Sequence, residues 1–165
     1  MRTTSKGILV LLAGLNFIFI GQCTKDSGRG RDKIYAEYPW TSASDTVTIQ
    51  GSRCTISGKA FRVFGPRLPG VGLVTLLNVT TESQTELPPD VRADSMWIAD
   101  KDSVWVKQIE EINQHKSRSG LSLEVSDGPT WQPGDTVNIV VGLRLNDTTY
   151  FLSLPDLRIE AHGGR

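Results

Sequence analysis

Cysteine and histidine are scarce in this 165-residue chain, with two of each, at Cys23, Cys54, His115 and His162. None stands near another at the paired spacing of a zinc site, so neither a metal centre nor a bound cofactor is expected. An excess of one charge is also missing, since Lys and Arg total 18 and Asp and Glu total 18. That balance argues against nucleic acid as a partner, because binding by counterion release needs a basic surplus. Nowhere do 11 or more residues keep helical period between caps, which excludes a helical bundle.

Catalytic signatures are wanting too. The chain has no GxSxG elbow, HExxH helix, GxxxxGK[ST] phosphate loop or GxGxxG fingerprint. Gly65 to Gly72 is glycine-rich, but Pro66 and Pro69 remove the backbone donors a phosphate cradle needs. Asp90, Asp94, Asp100 and Asp102 cluster in sequence, yet their spacing lacks the calcium-loop pattern and suits solvated turns better than paired acid and base. No catalytic residue is expected, and a non-enzymatic role follows.

What is present begins at the amino terminus. Arg2 and Lys6 precede an apolar run from Gly7 to Ile20, interrupted only by Asn16. As a helix the run would rise about 21 Å, short of the roughly 30 Å hydrocarbon core of a bilayer. It therefore reads as an export signal rather than a permanent span, with no polar face to make it a buried amphipathic helix. Without residues 1–22 the chain keeps 16 basic against 18 acidic side chains, a mildly acidic exported surface.

The signal ends in Ile20-Gly21-Gln22-Cys23. This tetrapeptide resembles the lipobox of bacterial lipoproteins, with Gln22 standing where that family has Gly, Ala or Ser. The resemblance covers residues 1–23 and implies that Cys23 becomes a lipidated amino terminus, placing the chain in the cell envelope on a membrane. Ordinary secretion or periplasmic release, and an uncleaved signal, are the competing outcomes. Residues 24–33, TKDSGRGRDK, contain two glycines, mixed charge and no apolar side chain, as a hydrated tether requires.

Cys23 has a competing use, a disulfide with Cys54, and the two uses exclude each other. Cys54 lies in the alternating stretch Cys54-Thr55-Ile56-Ser57 and reads as a free, packed thiol. Residues 34–44 are aromatic-rich and broken at Pro39, fitting either a first edge strand or an extended lead-in.

Beyond Asp45, short apolar runs recur between turn residues. Strands are predicted at Thr46 to Gln50, Arg53 to Phe64, Leu73 to Thr81, Ser95 to Ala99, Val104 to Ile112, Leu121 to Ser126, Thr136 to Leu145, Thr149 to Leu154 and Leu157 to Ala161. Val137, Ile139, Val141, Leu143 and Leu145 share one face with period two, as do Leu121, Leu123 and Val125, and both sets belong in a core. Asn146-Asp147 predicts a hairpin turn, and a short helix or turn is an option near Glu110 to His115.

Strands without intervening helices predict an all-β fold, an antiparallel β-sandwich of seven to nine strands over residues 45–162, after a signal at 1–22 and a tether and lead-in at 23–44. Strand number and spacing resemble the immunoglobulin-like superfold, although its Cys, Trp, Cys trio is absent. The whole is similar to small exported Ig-like lipoproteins of bacteria whose function is unknown. Signal, tether and sandwich without a catalytic constellation lead instead to the expectation of a binding or assembly module on a membrane, with a protein or envelope glycan as partner, and a carbohydrate-binding accessory domain as the rival.

Tryptophan supplies the remaining candidates. Trp97 and Trp105 sit among Met96, Ile98, Val104 and Val106, where at least one is expected in the core. Trp131, between Pro129 and Pro133, is the candidate ligand platform, with Trp40 as a second candidate aromatic. Folding back to cap the end of the sandwich is the competing place for Trp131.

Overall fold

The structure, a computed structural model, describes residues 38–64, 72–82 and 85–163. Cys23, the apolar run, the tether and residues 65–71 lie outside these residues.

Among the described residues nine strands form one sheet. They are β1 (Thr46–Ile49), β2 (Ser52–Phe64), β3 (Leu73–Thr81), β4 (Arg92–Ala99), β5 (Val104–Gln108), β6 (Gln114–Ser117), β7 (Gly120–Val125), β8 (Thr136–Leu145) and β9 (Thr148–Gly163). Their order is β5-β4-β8-β9-β2-β3-β7-β6, with β1 paired to β2 beside the path. The all-β expectation holds, but the pairing is mixed. Residues 159–163 of β9 run parallel to residues 60–64 of β2, and an isolated parallel bridge joins Ser44 to Leu152.

The sheet curls, and the apolar faces of most strands gather into one core, while the middle of β8 is buried on both faces. Cys54, Ile56 and Ala60 of β2, Leu73, Leu77 and Val79 of β3, and Leu121, Leu123 and Val125 of β7 are buried. They join Met96 and Ile98 of β4, Val137, Ile139, Val141, Leu143 and Leu145 of β8, and Leu152 and Ile159 of β9 in one cluster. Thr75 Oγ1 of β3 lies 3.9 Å from Met96 Sδ of β4, although these strands stand far apart in the sheet order. Their meeting marks two regions of one sheet facing each other across the core.

Turn chemistry fixes the register. Gln50 and Gly51 both adopt positive φ, 48° and 84°, the geometry of a two-residue turn whose twist matches β1 and β2. Asn146 is at φ 52° in the two-residue connection between Leu145 and Thr148, the hairpin expected there. Asp100 Oδ1 accepts from the N–H groups of Asp102 and Ser103 at 2.9 and 2.6 Å, tying the β4–β5 turn.

Four expectations need correction. The last two predicted strands are one, because a bulge absorbs Pro155: Val137 pairs with Leu157 and Ile139 with Leu154, and Asn138 Oδ1 accepts the Asp156 N–H at 3.1 Å. The strand predicted to reach Ile112 stops at Gln108, and the chain enters a 3-10 turn at Glu111–Asn113 before β6, a strand without a counterpart in the sequence reading. Tyr38–Ser42 of the lead-in is a short helix, α1, rather than an edge strand or extended chain. Asp94 lies within β4 rather than in a turn.

Cys54 is free and fully buried, as read from its alternation. Its Sγ donates weakly to the Ser52 carbonyl at 3.6 Å, and burial raises the thiol above its ordinary range. The folded state thus holds the proton more tightly than the unfolded one. Its stabilising contribution is complete below the ordinary thiol range and declines as pH rises through that range towards the raised folded value. Urea unfolding at rising alkaline pH should show a steeper loss for the wild type than for Cys54→Ala; parallel curves would show that the thiol has no such role. Lys116, whose pKa burial lowers, acts in the opposite sense there, but it is common to both proteins and cancels.

Candidate functional site

The first residues of β4 outrun their neighbour. β5 pairs with β4 only from Ser95 to Ala99, so Arg92, Ala93 and Asp94 border a gap whose far side is β6, the last strand of the sheet. The gap is a groove of about 570 Å³. Val91, Ala93, Ile109 and Leu121 give it an apolar floor, while Arg92, Asp94, Gln108, Glu111, Gln114 and Lys116 bring both signs of charge and two amides to its walls. That composition, apolar with a few convergent polar groups, is the usual make-up of a binding site.

Side chains, not a ladder, hold the two walls together. The Gln114 carboxamide imitates a strand partner: its Oε1 accepts the Ala93 N–H at 3.0 Å and its Nε2 donates to the Ala93 carbonyl at 3.1 Å. The Ile109 N–H donates to the Asp94 carbonyl at 2.9 Å. Two residues on, Lys116 Nζ donates to the carbonyls of Pro88, Pro89 and Val91 at 2.6, 2.6 and 3.0 Å. Burial pulls the Lys116 ammonium below the ordinary lysine range, and the Asp90 carboxylate opposes that shift. A nitrogen donating to three carbonyls is engaged as a cation, which makes it a brace and not a nucleophile.

Replacing Gln114 with leucine keeps the bulk but strands both Ala93 groups, at a cost of about 1–2 kcal/mol in this water-accessible groove. Hydrogen exchange should then speed at the Ala93 amide while Val141, deep in β8, keeps its protection. Unchanged exchange at Ala93 would show that Gln114 does not close the seam.

The turn that follows carries an unusual side chain. Ile112, next to Glu111 on the 3-10 turn, is 89% exposed, twice the value of Phe64, the next most exposed large apolar residue among those described. The turn presenting it is stitched down. Asn113 Oδ1 accepts from the Glu110 N–H at 3.4 Å, and Asn113 Nδ2 donates to the Glu124 carbonyl of β7 at 3.2 Å.

The tryptophans fall elsewhere. Trp131 is half-buried against the core, and Arg62 Nη1 donates to the carbonyls of Thr130 and Trp131 at 3.0 and 3.3 Å, which holds this segment onto the fold. Trp40 is half-buried on α1, beside β9. Trp105 packs on the core, as expected for one of the β4–β5 pair. Trp97 faces outward instead, its ring 5.8 Å from that of Phe151 and tilted 70° to it. Gly142 lies under this group, where a Cβ would come within 2.9 Å of Asp94 Oδ1 and 3.4 Å of the Trp97 ring.

No sequence motif marks the groove, since Gln114 and Ala93 are 21 residues apart. The signal available was the alternation of Gln114 and Lys116 with His115 and Ser117, which has the period of a strand. Among the described residues, no group of three or more His, Cys, Asp or Glu is placed to hold a metal ion. No family model matches the chain, and a search of curated proteins finds no match.

Proposed function

We propose that the chain is a lipid-anchored, extracytoplasmic Ig-like β-sandwich that works without catalysis as a binding or assembly module, meeting a protein partner through the groove between β4 and β6. The groove carries the reading: it joins an apolar floor to fixed polar walls. Its lysine and glutamine are spent on backbone carbonyls and amides, which suits a preformed surface better than proton transfer. The export signal, the Cys23 tetrapeptide and the ten-residue spacer 24–33 put such a surface at reach from a membrane. NMR titration of the isotope-labelled protein with detergent-solubilised envelope from its own cells tests the groove. Perturbed amides at Ala93, Gln108 and Glu111 are expected; perturbation confined to other faces would move the recognition surface elsewhere.

A second reading, a carbohydrate-binding accessory domain, draws on the outward pair Trp97 and Phe151 in place of Trp131 and Trp40. The Asp94 carboxylate beside the indole supplies a hydroxyl acceptor next to an aromatic face. On a glycan array this reading expects binding that Trp97→Ala abolishes and Trp131→Ala preserves; no retained glycan removes it.

A further inference from the structure

β5 ends the sheet with half of its backbone unpaired. It pairs with β4 alone, in a register that runs from Ser95 opposite Gln108 to Ala99 opposite Val104. The Asp100 N–H donates to the Ser103 carbonyl and the Ile109 N–H to the Asp94 carbonyl, which fixes the alternation of bonds between them. Trp105 and Lys107 therefore turn their backbone groups to β4, while those of Val104, Val106 and Gln108 point to the free side. Among the described residues no group bonds to that side. The opposite end of the sheet differs, because Gln114 and Lys116 tie β6 to Ala93 and to Pro88, Pro89 and Val91.

An open edge accepts another strand unless a side chain on it refuses one. On β5 the refusal comes from Lys107, which the register sets on the core-side face beside Met96, so an apolar strand laid alongside would face its ammonium. A strand that brings an aromatic face opposite Lys107 turns the refusal into a cation–π contact. β5 itself carries that aromatic at the matching place. Laid antiparallel against its own copy about Val106, it sets Val104 opposite Gln108, Val106 opposite Val106, and Lys107 opposite the copy's Trp105. This register uses the free backbone groups of all three outward residues, whereas centring the pair on Lys107 would use fewer and set like charges face to face. On the outer face Val106, 41% exposed, would meet its own counterpart and extend the cross-strand row of Val140, Trp97 and Val106.

We infer that the chain pairs with a second copy of itself edge to edge, β5 against β5 about a two-fold axis at Val106, so that two sheets become one. The pairing does not depend on the groove being a recognition surface. A ladder of five-residue strands is small beside the roughly 800 Å² per partner of a standard stable complex, so it is reversible. Copies tethered to one membrane share a raised effective concentration, which favours the pair.

Sedimentation equilibrium of the full chain in density-matched detergent, with hydrogen exchange at both ends of the concentration series, tests the inference. The wild type should pass from monomer to dimer. Exchange at the Val104 and Val106 amides should slow at least about tenfold in the dimer, while Ala93 and Glu111 in the groove keep their rates. Val106→Lys should remain monomeric, because it sets like charges opposite each other across the axis. Val106→Cys should oxidise to a dimer linked through position 106, since a hydrogen-bonded pair holds its Cα atoms about 5.5 Å apart, within reach of a disulfide. Val104→Cys and Gln108→Cys should link to each other when mixed, with Ile112→Cys on its exposed turn as the control for chance collisions. A wild type that stays monomeric throughout overturns the pairing. So does a dimer that slows Ala93 and Glu111 in place of Val104 and Val106, or one in which position 106 links no faster than position 112.

Discussion

Ile139→Ala should destabilise the domain by about 2–5 kcal/mol. Ile139 has no exposed surface, and it lies between Ile98 on β4 and Leu154 on β9 at the middle of β8. Truncation removes three carbons from a site fenced by ladders on both sides, so the strands cannot close on the space left behind. The loss combines the transfer energy of the missing atoms with the cavity they vacate. Against a total stability of about 5–15 kcal/mol, the melting temperature should fall by roughly 10 °C. Ile112→Ala provides the contrast, since removing similar atoms from a side chain that is 89% exposed should change stability by less than about 0.5 kcal/mol. Equal effects from the two substitutions would mean that the curled sheet does not enclose its core at β8.

Cys23→Ser should move the protein from the membrane fraction to the soluble fraction. The expectation comes from the Ile20-Gly21-Gln22-Cys23 tetrapeptide and the polar spacer that follows it. Each acyl methylene buried in a bilayer contributes about 0.8 kcal/mol, so several chains on one residue hold far more firmly than one. Serine offers no thiol for the thioether, and residues 24–165 carry 16 basic and 18 acidic side chains and none of the apolar run. The shift should be nearly complete when fractions are separated by ultracentrifugation and probed for the protein. Membrane association that survives the substitution would assign the attachment to another part of the chain.

Strand identity was legible wherever one face met the core and the other met water. Leu73–Thr81 and Thr136–Leu145 have the bounds that their alternation predicts, although only the first is buried on one side and the middle of the second is buried on both. Legibility failed where a local rule gave way to a distant contact. Pro155 reads as a break, yet the bulge opposite Asn138 lets β9 run through it. β6 is polar on both faces, and its inward residues serve the seam by hydrogen bonding rather than by apolar packing. The parallel pairing of β2 with β9 joins segments about 100 residues apart, and no periodicity announces it.

The candidate site was harder still. Trp131 and Trp40 drew notice because aromatic residues in loops are conspicuous, but the Arg62 bonds that hold the Trp131 segment onto the fold are invisible without coordinates. Trp97 shows the converse. Met96 and Ile98 on either side of it are buried, and strict alternation already turned the residue between them outward. The groove residues come from four separate stretches and become one wall and floor only when the sheet curls.

The mass of the intact protein, recovered from the cells that make it, tests the account of a tethered exported module most directly. A species that lacks residues 1–22 and carries the added mass of a diacylglyceryl group and an acyl chain on Cys23 is the predicted result. A species that retains residues 1–22, or one with Cys23 joined to Cys54, would contradict it.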